Sequence, residues 1–290
     1  MTLKRIALAV LAGLAAVPVF AKEGPDQYPN GVENFMSGAL PPPGDYFLNY
    51  LGHYNGRLRD SHGNKLPVSV NATFDALRWV HMSDLKVFGA DWGWHMIVPI
   101  VHQSMHTPGG SGTADGLGDI TVDPFILAWH FPNFHVAAAV DINLPTGKYD
   151  KDDPTASIGA NYWSFEPLLA MTYLSDGGFE ASAKLMYNMK TRNNDTKYQS
   201  GDEFHMDYTL AQHVGDWAFG LGGYYLKQTT DDEQYGDTVG DGNRGQVFAW
   251  GPQIKYDYKG MSFIATWNIE TQAENRFEGD KVWLKFVTRF

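Results

Sequence analysis

The chain ends on the stretch Val282–Phe290 (VWLKFVTRF), in which apolar and polar side chains alternate. One set of alternate positions includes Leu284 and Phe286, and the other carries Lys285 and Arg289. A period of two is typical of a β-strand whose two faces differ. The apolar set continues to the last residue, although chain ends usually lie free in water. The stretch is therefore predicted to be either a sheet strand that docks the C-terminus or a strand that closes a membrane barrel.

The same alternation recurs along the chain and predicts twelve strands. In the clearest case, Val68 and Val70 alternate with Ser69 and Asn71. Glycine (31 residues) and aromatic side chains (14%) are abundant, as tight turns and the aromatic girdles of a membrane barrel require. The predicted strands span about 45–56, 66–80, 85–101, 118–130, 134–144, 158–173, 178–190, 203–212, 217–228, 246–257, 261–271 and 282–290.

The connections between these strands are alternately short and long. This pattern puts all the long loops at one end, which is typical of outer-membrane barrels and is not explained by a soluble sandwich. An even number of strands also returns the chain to its starting side. The predicted fold is thus an all-β, antiparallel transmembrane β-barrel of about 12 strands, with periplasmic N- and C-termini. The long connections are 57–65, 102–117, 145–157, 191–202, 229–245 and 272–279.

The N-terminus carries a targeting signal. Lys4 and Arg5 precede an apolar run over 6–19, and small residues lead up to Ala21. This arrangement predicts a secretory signal peptide over 1–21, cleaved near Ala21. Together with the barrel pattern, it predicts the outer membrane of a Gram-negative bacterium as the location.

Two further segments complete the predicted domain plan. Residues 22–44 are rich in proline and glycine, and Pro41, Pro42 and Pro43 cannot stand inside a strand. They are interpreted as a periplasmic lead-in or a plug-like segment before the barrel, which spans 45–290. No later run of about 20 apolar residues predicts a membrane helix. The absence of cysteine excludes disulfides and thiolate metal sites, and a net charge of -11 argues against nucleic acid as a partner.

Polar positions on the strands are predicted to line the pore, because a charge facing mid-bilayer lipid costs about 2–4 kcal/mol. Arg78 lies on the more apolar face of its strand and is predicted to snorkel to the membrane interface. No catalytic, cofactor or metal site is predicted, and the ten histidines are interpreted as ordinary polar residues. The pore-lining candidates are Asp75, Asp123, Asp141, Glu166, Glu180, Lys184, His205, Asp207, Lys255, Lys285 and Arg289.

Three segments resemble one family when they occur in this order on a barrel pattern: Gly38–Gly44 (GALPPPG), Gly116–Ile120 (GLGDI) and Asn143–Tyr149 (NLPTGKY). The chain is similar, over about 33–290, to outer-membrane proteins named for a meta-pathway of phenol degradation, also called SphA-like. This resemblance implies a channel for small hydrophobic or aromatic compounds with outer-membrane lipid around it. The closing strand ending in Phe290 also resembles the strands that the barrel assembly machinery reads.

Two other functions stay open. A structural or adhesion barrel without transport is compatible with a lumen of mixed charge. An outer-membrane lipid hydrolase also suits twelve strands, but it needs Ser, His and an orienting partner on the outer face. We expect no His-x-Ser pair there. The acidic loops 145–157 and 229–245 either bind calcium or are hydrated surface loops without a ligand.

Overall fold

The computed structural model describes residues 24–290, apart from the side chain of Pro154, and most of this part is β-strand. The predicted signal peptide lies outside the described residues. None of the helical structure within 24–290 is long and apolar enough to span a membrane. The elements are β1 (Gly44–Arg59), β2 (Lys65–Val87), β3 (Ala90–Thr107), β4 (Gly110–Leu117), β5 (Ile120–His130), β6 (Phe134–Leu144), a 3-10 turn (Pro154–Ala156), β7 (Ser164–Leu174), β8 (Phe179–Lys190), β9 (Tyr198–Gln199), β10 (Glu203–Val214), β11 (Trp217–Gln228), β12 (Glu233–Gln234), β13 (Asp237–Thr238), β14 (Gln246–Tyr258), β15 (Met261–Glu274) and β16 (Phe277–Arg289).

These strands form one closed antiparallel barrel. Neighbours in sequence pair with one another, and β1 pairs with β16 from Tyr46 opposite Arg289 to Leu58 opposite Phe277. Strands β4 and β5 both pair with β3, one after the other, so together they form a single barrel strand. Strands β9, β12 and β13 make a small separate sheet in the loops. The predicted twelve-stranded antiparallel barrel is confirmed.

The closing strand has the predicted faces, although it begins earlier, at Phe277. Val282 and Leu284 are exposed on the outside, whereas Trp283 and Lys285 are buried inside. Similar exposed apolar side chains surround the barrel. Because the closed sheet leaves no unpaired edge, this surface suits contact with lipid. Its exposed members include Leu77, Trp79, Met96, Ile100, Phe125, Phe134, Leu169, Leu210, Phe219, Leu221, Trp250, Phe263, Trp267 and Leu284.

Two predicted connections are wrong. The turn after β2 lies at Phe88–Gly89, not near 81–84. The predicted loop 102–117 consists mostly of strand, since β3 runs to Thr107 and β4 follows after two residues. Both faces of this hairpin carry polar side chains, so it shows none of the alternation that marks a strand at the lipid belt.

The predicted faces of β2 are also wrong. Ala72 and Ala76 are buried in the lumen, while Asp75 lies on the outer face and accepts a hydrogen bond from Asn49. Arg78 points into the lumen instead of snorkelling outward. The error has a physical cause: this part of the lumen wall is itself apolar, so hydrophobicity does not separate its inner face from its outer one.

Strand β5 changes face partway along. Thr121 and Asp123 are buried within the barrel, and after the change of face so are Ile126 and Ala128. The β5–β6 register shifts between Val122 and Leu127, next to Pro124. Proline cannot donate to the ladder, and a bulge that adds one residue reverses every later side chain.

Residues 24–43, here called the lumen segment, thread through the barrel. Gly24 packs against Ala160 in the loop at the long-loop end, whereas the Pro43 carbonyl accepts a hydrogen bond from Arg289 at the short-turn end. The first described residue, Gly24, therefore lies at the opposite end of the barrel from Phe290. The even strand count does place β1 and β16 together, but the lumen segment crosses the barrel before β1 begins. Its contacts are those of a plug.

Two glycines let the lumen segment approach the wall closely. A Cβ on Gly38 would lie 2.6 Å from Met171 Cα on β7. Gly31 has a φ of 84°, which side chains other than glycine rarely adopt, and a Cβ there would lie 2.7 Å from Tyr224 Cδ1. The backbone of the segment thus packs directly on the strands.

We expect Gly38→Val to push the lumen segment away from β7. Overpacking of this kind costs about 1–3 kcal/mol of folding free energy. The barrel in detergent should therefore unfold at a lower temperature. Gly109→Val is the matched control, because the nearest atom to a Cβ there is 3.8 Å away. Equal melting of the two variants would contradict the close packing of Gly38.

Candidate functional site: the lumen cavity

The lumen segment fills the half of the barrel near the short turns. Phe35 and Met36 pack against Ala211, Ala218 and Ile264. Farther along the segment, Leu40 packs in a second cluster, whose buried members are Tyr46, Val80, Met82 and Ala128. Apolar contacts therefore close this half of the lumen.

The half near the long loops contains a cavity of about 580 Å³. Its wall on β1, β2, β3 and β16 is mainly apolar, and Phe74 and Trp283 place their ring centroids 4.7 Å apart. The cavity extends up to Asn275 and Phe277 near the barrel rim and to Gln234 in a loop. Other apolar and aromatic lining residues are Tyr50, Tyr54, Leu58, Val70, Ala72, Ala76, Ile97, Val101, Met105, Ile158, Tyr224, Val239 and Val247.

An ionic layer forms the floor of this cavity. Glu33, from the lumen segment, lies between Arg78 on β2 (2.6 Å) and Lys285 on β16 (2.7 Å). Arg78 also donates to Tyr50 Oη (3.1 Å) and to His95 Nδ1 (2.7 Å). One carboxylate thus joins the segment to two strands on either side of β1.

The guanidinium of Arg78 decides the proton position on His95. Arginine can only donate, so Nδ1 of His95 is an acceptor and its ring proton lies on Nε2. Nε2 faces Asp141 Oδ1 at 2.9 Å. Close polar contacts therefore run from Arg78 on β2 through His95 to Asp141 on β6.

Asp207 on β10 holds the lumen segment from the other side of the barrel. Its carboxylate accepts the backbone N–H of Gly31 (2.8 Å), the N–H of Glu33 (3.0 Å) and the hydroxyl of Tyr28 (2.6 Å). Three donors from one short stretch meet one buried carboxylate, so Asp207 orients the bend at Gly31.

The predicted pore-lining residues divide into three groups. The prediction that Asp75 lines the pore is wrong, because its side chain lies on the outer face of the barrel. Lys255 and Arg289 lie toward the short turns, where Lys255 binds Asp257 (2.7 Å) and Arg289 stacks over Tyr46. The others have buried side chains inside the barrel: Asp123, Asp141, Glu166, Glu180, Lys184, His205, Asp207 and Lys285.

Sequence reasoning missed two of the residues that build the floor. Glu33 lies in a segment without strand periodicity, and Arg78 lies on an apolar strand face. The isolated charge of Arg78 among apolar neighbours was a usable signal, because such a residue needs a partner. The residue that provides it, Glu33, is 45 positions away.

His95, Asp123 and Asp141 bring potential metal-ligating atoms within 4.8 Å of one another. Arg78 contacts His95, and Lys184 lies 3.7 Å from Asp141. These two cations already balance carboxylate charge and would repel a divalent ion. We therefore interpret the cluster as part of the ionic floor.

Two of the three motif segments meet at the rim of the cavity. Asp119 of the GLGDI segment accepts the N–H of Gly147 in the NLPTGKY segment (2.9 Å) and that of Ala160 (2.9 Å). It also accepts the Gln27 side-chain amide of the lumen segment (2.8 Å). The GLGDI and NLPTGKY segments are thus hydrogen-bonded, through Asp119, to each other and to the lumen segment.

A family model described as "Putative MetA-pathway of phenol degradation" matches residues 55–286. The chain belongs to this family. An outer membrane channel from Pseudomonas putida F1 has a similar structure, with a TM-score of 0.79 and 16% identity over 89% of this chain and 100% of that one. The translocator domain of the autotransporter NalP from Neisseria meningitidis has a TM-score of 0.50 and 7% identity, over 87% and 91% of the two chains. No curated protein sequence matches the chain.

Family membership confirms the resemblance drawn from the motifs. With its closed sheet and apolar outer belt, this member of the phenol-degradation family is an outer-membrane β-barrel. The fold likeness to the Pseudomonas channel covers the whole of that chain, so the cavity and floor lie inside a known barrel architecture.

In the acidic loops of this family member, several carboxylates accept hydrogen bonds from nearby groups of the protein. Asp232 accepts hydrogen bonds from Tyr198 Oη (2.5 Å), Gly201 N (2.7 Å) and Gln228 Nε2 (2.8 Å), and burial raises its pKa to about 6. In the other loop, Asp150 and Asp153 accept backbone N–H groups. These contacts occupy oxygens that a calcium ion would need.

The outer face carries an arrangement of side chains that the sequence analysis predicted to be absent. His102 and Ser104 form a His-x-Ser pair on the outer face of β3, and Asp115 on β4 contacts His102 Nδ1. The hydroxyl of Ser104 lies 3.3 Å from Thr113 Oγ1. The expectation that no such pair exists is wrong, because residues 102–117 form strands although their sequence lacks the alternation of a strand at the lipid belt.

We expect Arg78→Met to loosen the lumen segment. Removing one partner of a buried ion pair costs about 3–5 kcal/mol, and Lys285 compensates Glu33 only in part. The protein has no cysteine, so Ser37→Cys provides a single reporter whose maleimide labelling should accelerate in the Arg78→Met background. Arg57→Met, which changes an exposed arginine on β1, is the control. Unchanged labelling would show that Arg78 does not hold the segment.

Proposed function

We propose that this protein is an outer-membrane channel that admits small hydrophobic or aromatic molecules and performs no covalent chemistry. The observation that carries the proposal is the cavity of about 580 Å³, walled by apolar and aromatic side chains and extending to the long loops. Such walls suit apolar solutes, with a few polar groups to orient them. The description of the family, which names phenol degradation, supports an aromatic solute.

The proposed orientation follows from loop length. In outer-membrane barrels the long loops face outward and the short turns face the periplasm. The cavity would then collect solutes from outside, and Phe290 would lie at the periplasmic end for the barrel assembly machinery. The signal peptide over 1–21 would direct export.

A solute that crosses must pass the ionic floor and the lumen segment. The cavity ends at Glu33 and Arg78, and beyond them Phe35 and Leu40 fill the lumen. Transport therefore requires the segment to shift. The same filling supports the alternative of a structural barrel without transport.

Conductance across a planar bilayer distinguishes these two functions. We expect the refolded barrel to conduct ions in small steps, which phenol reduces by occupying the cavity. Ala72→Trp, which fills the cavity, should reduce the conductance at least severalfold, since the wall is already closely lined. Ala138→Trp on the outer face of β6 is the control. A barrel that never conducts above the protein-free baseline would favour the structural alternative.

A lipid hydrolase is the second candidate, and His102, Ser104 and Asp115 are the observation that favours it. Asp115 on Nδ1 would leave Nε2 of His102 as a base for the Ser104 hydroxyl. In the structure Ser104 contacts Thr113 instead, so the hydroxyl would have to rotate toward His102.

If the protein hydrolyses lipid, fatty-acid release from phospholipid vesicles should fall about 10³-fold or more in Ser104→Ala, because loss of a nucleophile removes the acyl-enzyme route. Ser69→Ala, a polar position on β2, should keep full release. Wild-type protein that releases no fatty acid above background rules the candidate out.

A further inference from the structure

Two histidines face each other at the short-turn end of the lumen, and we call them the histidine pair. His130, the last residue of β5, and His135, the second residue of β6, are direct partners in the antiparallel register. Ala128 and Ala137, the buried partners two positions farther along these strands, lie on the same face. The histidine pair therefore points inward. The side chain of His130 is 31% exposed, so solutes at this end of the barrel can reach it.

The two rings approach each other through the same kind of atom. The Nδ1 atoms of His130 and His135 lie 2.9 Å apart. A neutral imidazole has one N–H and one acceptor nitrogen, so one ring donates its Nδ1 proton to the other. A transition-metal ion can replace that proton, because neutral imidazole is the commonest protein ligand for such ions. His95 in the ionic floor differs, since Arg78 already donates to its Nδ1.

A carboxylate stands behind one of the two rings. Asp91 on β3 places Oδ2 3.8 Å from Nε2 of His130. Histidines that bind metals usually direct their second ring N–H at a carboxylate, which fixes the tautomer and makes the ligating nitrogen more basic. A proton held on Nε2 of His130 leaves its Nδ1 lone pair free for an ion.

The nearby cation does not contact the histidine pair. Lys86 contacts the other oxygen of Asp91, Oδ1, and its own side chain is 61% exposed. Water and salt therefore screen the repulsion between its ammonium group and a bound ion. The buried Arg78 and Lys184 in the ionic floor lack this screening.

The spacing of the two nitrogens favours one class of metal. Two ligand atoms that are each about 2.0 Å from an ion lie about 2.8 Å apart at the right angle of tetragonal coordination and about 3.3 Å apart at the tetrahedral angle. The observed 2.9 Å is nearer to the first value. Tetragonal sites with nitrogen and oxygen ligands are typical of Cu²⁺ and Ni²⁺, and Cu²⁺ binds such ligands most tightly.

We propose that the histidine pair binds Cu²⁺ or an ion of the same tetragonal class through the Nδ1 atoms of His130 and His135, with Asp91 orienting His130. The site lies at the opposite end of the lumen from the cavity, so it does not depend on the proposed channel function. Two protein ligands leave the remaining coordination positions to water or to a solute.

Electron paramagnetic resonance and calorimetry test the site on the untagged barrel in detergent, titrated with Cu²⁺ in a non-coordinating buffer. We expect one Cu²⁺ whose spectrum shows coupling to two imidazole nitrogens. His130→Gln and His135→Gln should each abolish the two-nitrogen spectrum. Asp91→Asn should keep that spectrum and weaken Cu²⁺ binding about tenfold, as expected for a residue that acts through a ligand. Excess Ca²⁺ should not displace Cu²⁺, because Ca²⁺ prefers oxygen ligands.

His81→Gln is the matched control. His81 lies toward the same end of the barrel and is similarly exposed (35%), but its Nδ1 contacts the carboxylate of Asp45 instead of a second imidazole. A two-nitrogen spectrum that survives in both His130→Gln and His135→Gln would overturn the proposal. So would wild-type protein that binds no more Cu²⁺ than the double variant, or displacement by Ca²⁺. If His135→Gln does not fold, His130→Gln at the end of its strand decides alone.

Discussion

The constraint on which the structure depends is that lipid offers no partner to a backbone N–H or C=O. The pairing of β1 with β16 removes the last free edge and closes the sheet. Once closed, the barrel has an inner face shielded from lipid, and charged side chains can be buried there if they have partners. The ionic floor and the cavity both follow from closure.

The interior is then organised by the lumen segment. Glu33 joins Arg78 and Lys285, and Asp207 accepts three donors from residues 28–33. These contacts hold a chain that has no strand pairing of its own in the middle of the barrel. They also divide the lumen into a filled half and an open half, which is why one molecule shows features of both a channel and a closed barrel.

The family motifs acquire a physical meaning in this arrangement. Asp119 connects Gly147 and Gln27, so two motif segments and the lumen segment meet at one buried carboxylate. Gly38, in the third motif, lets the segment lie against β7 without a side chain between them. All three motifs therefore position the lumen segment.

Alternation by itself determined the strand number, the closing strand and most lumen positions, because lipid on one side and water on the other impose a period of two. It failed where that contrast disappears: on β2, whose lumen face is apolar, at the bulge near Pro124, and in the polar hairpin of β3 and β4. Only the tertiary structure decided that Arg78 meets Glu33 and that residues 24–43 cross the barrel. These contacts join residues far apart in sequence, and their geometry depends on barrel closure, which no local pattern encodes.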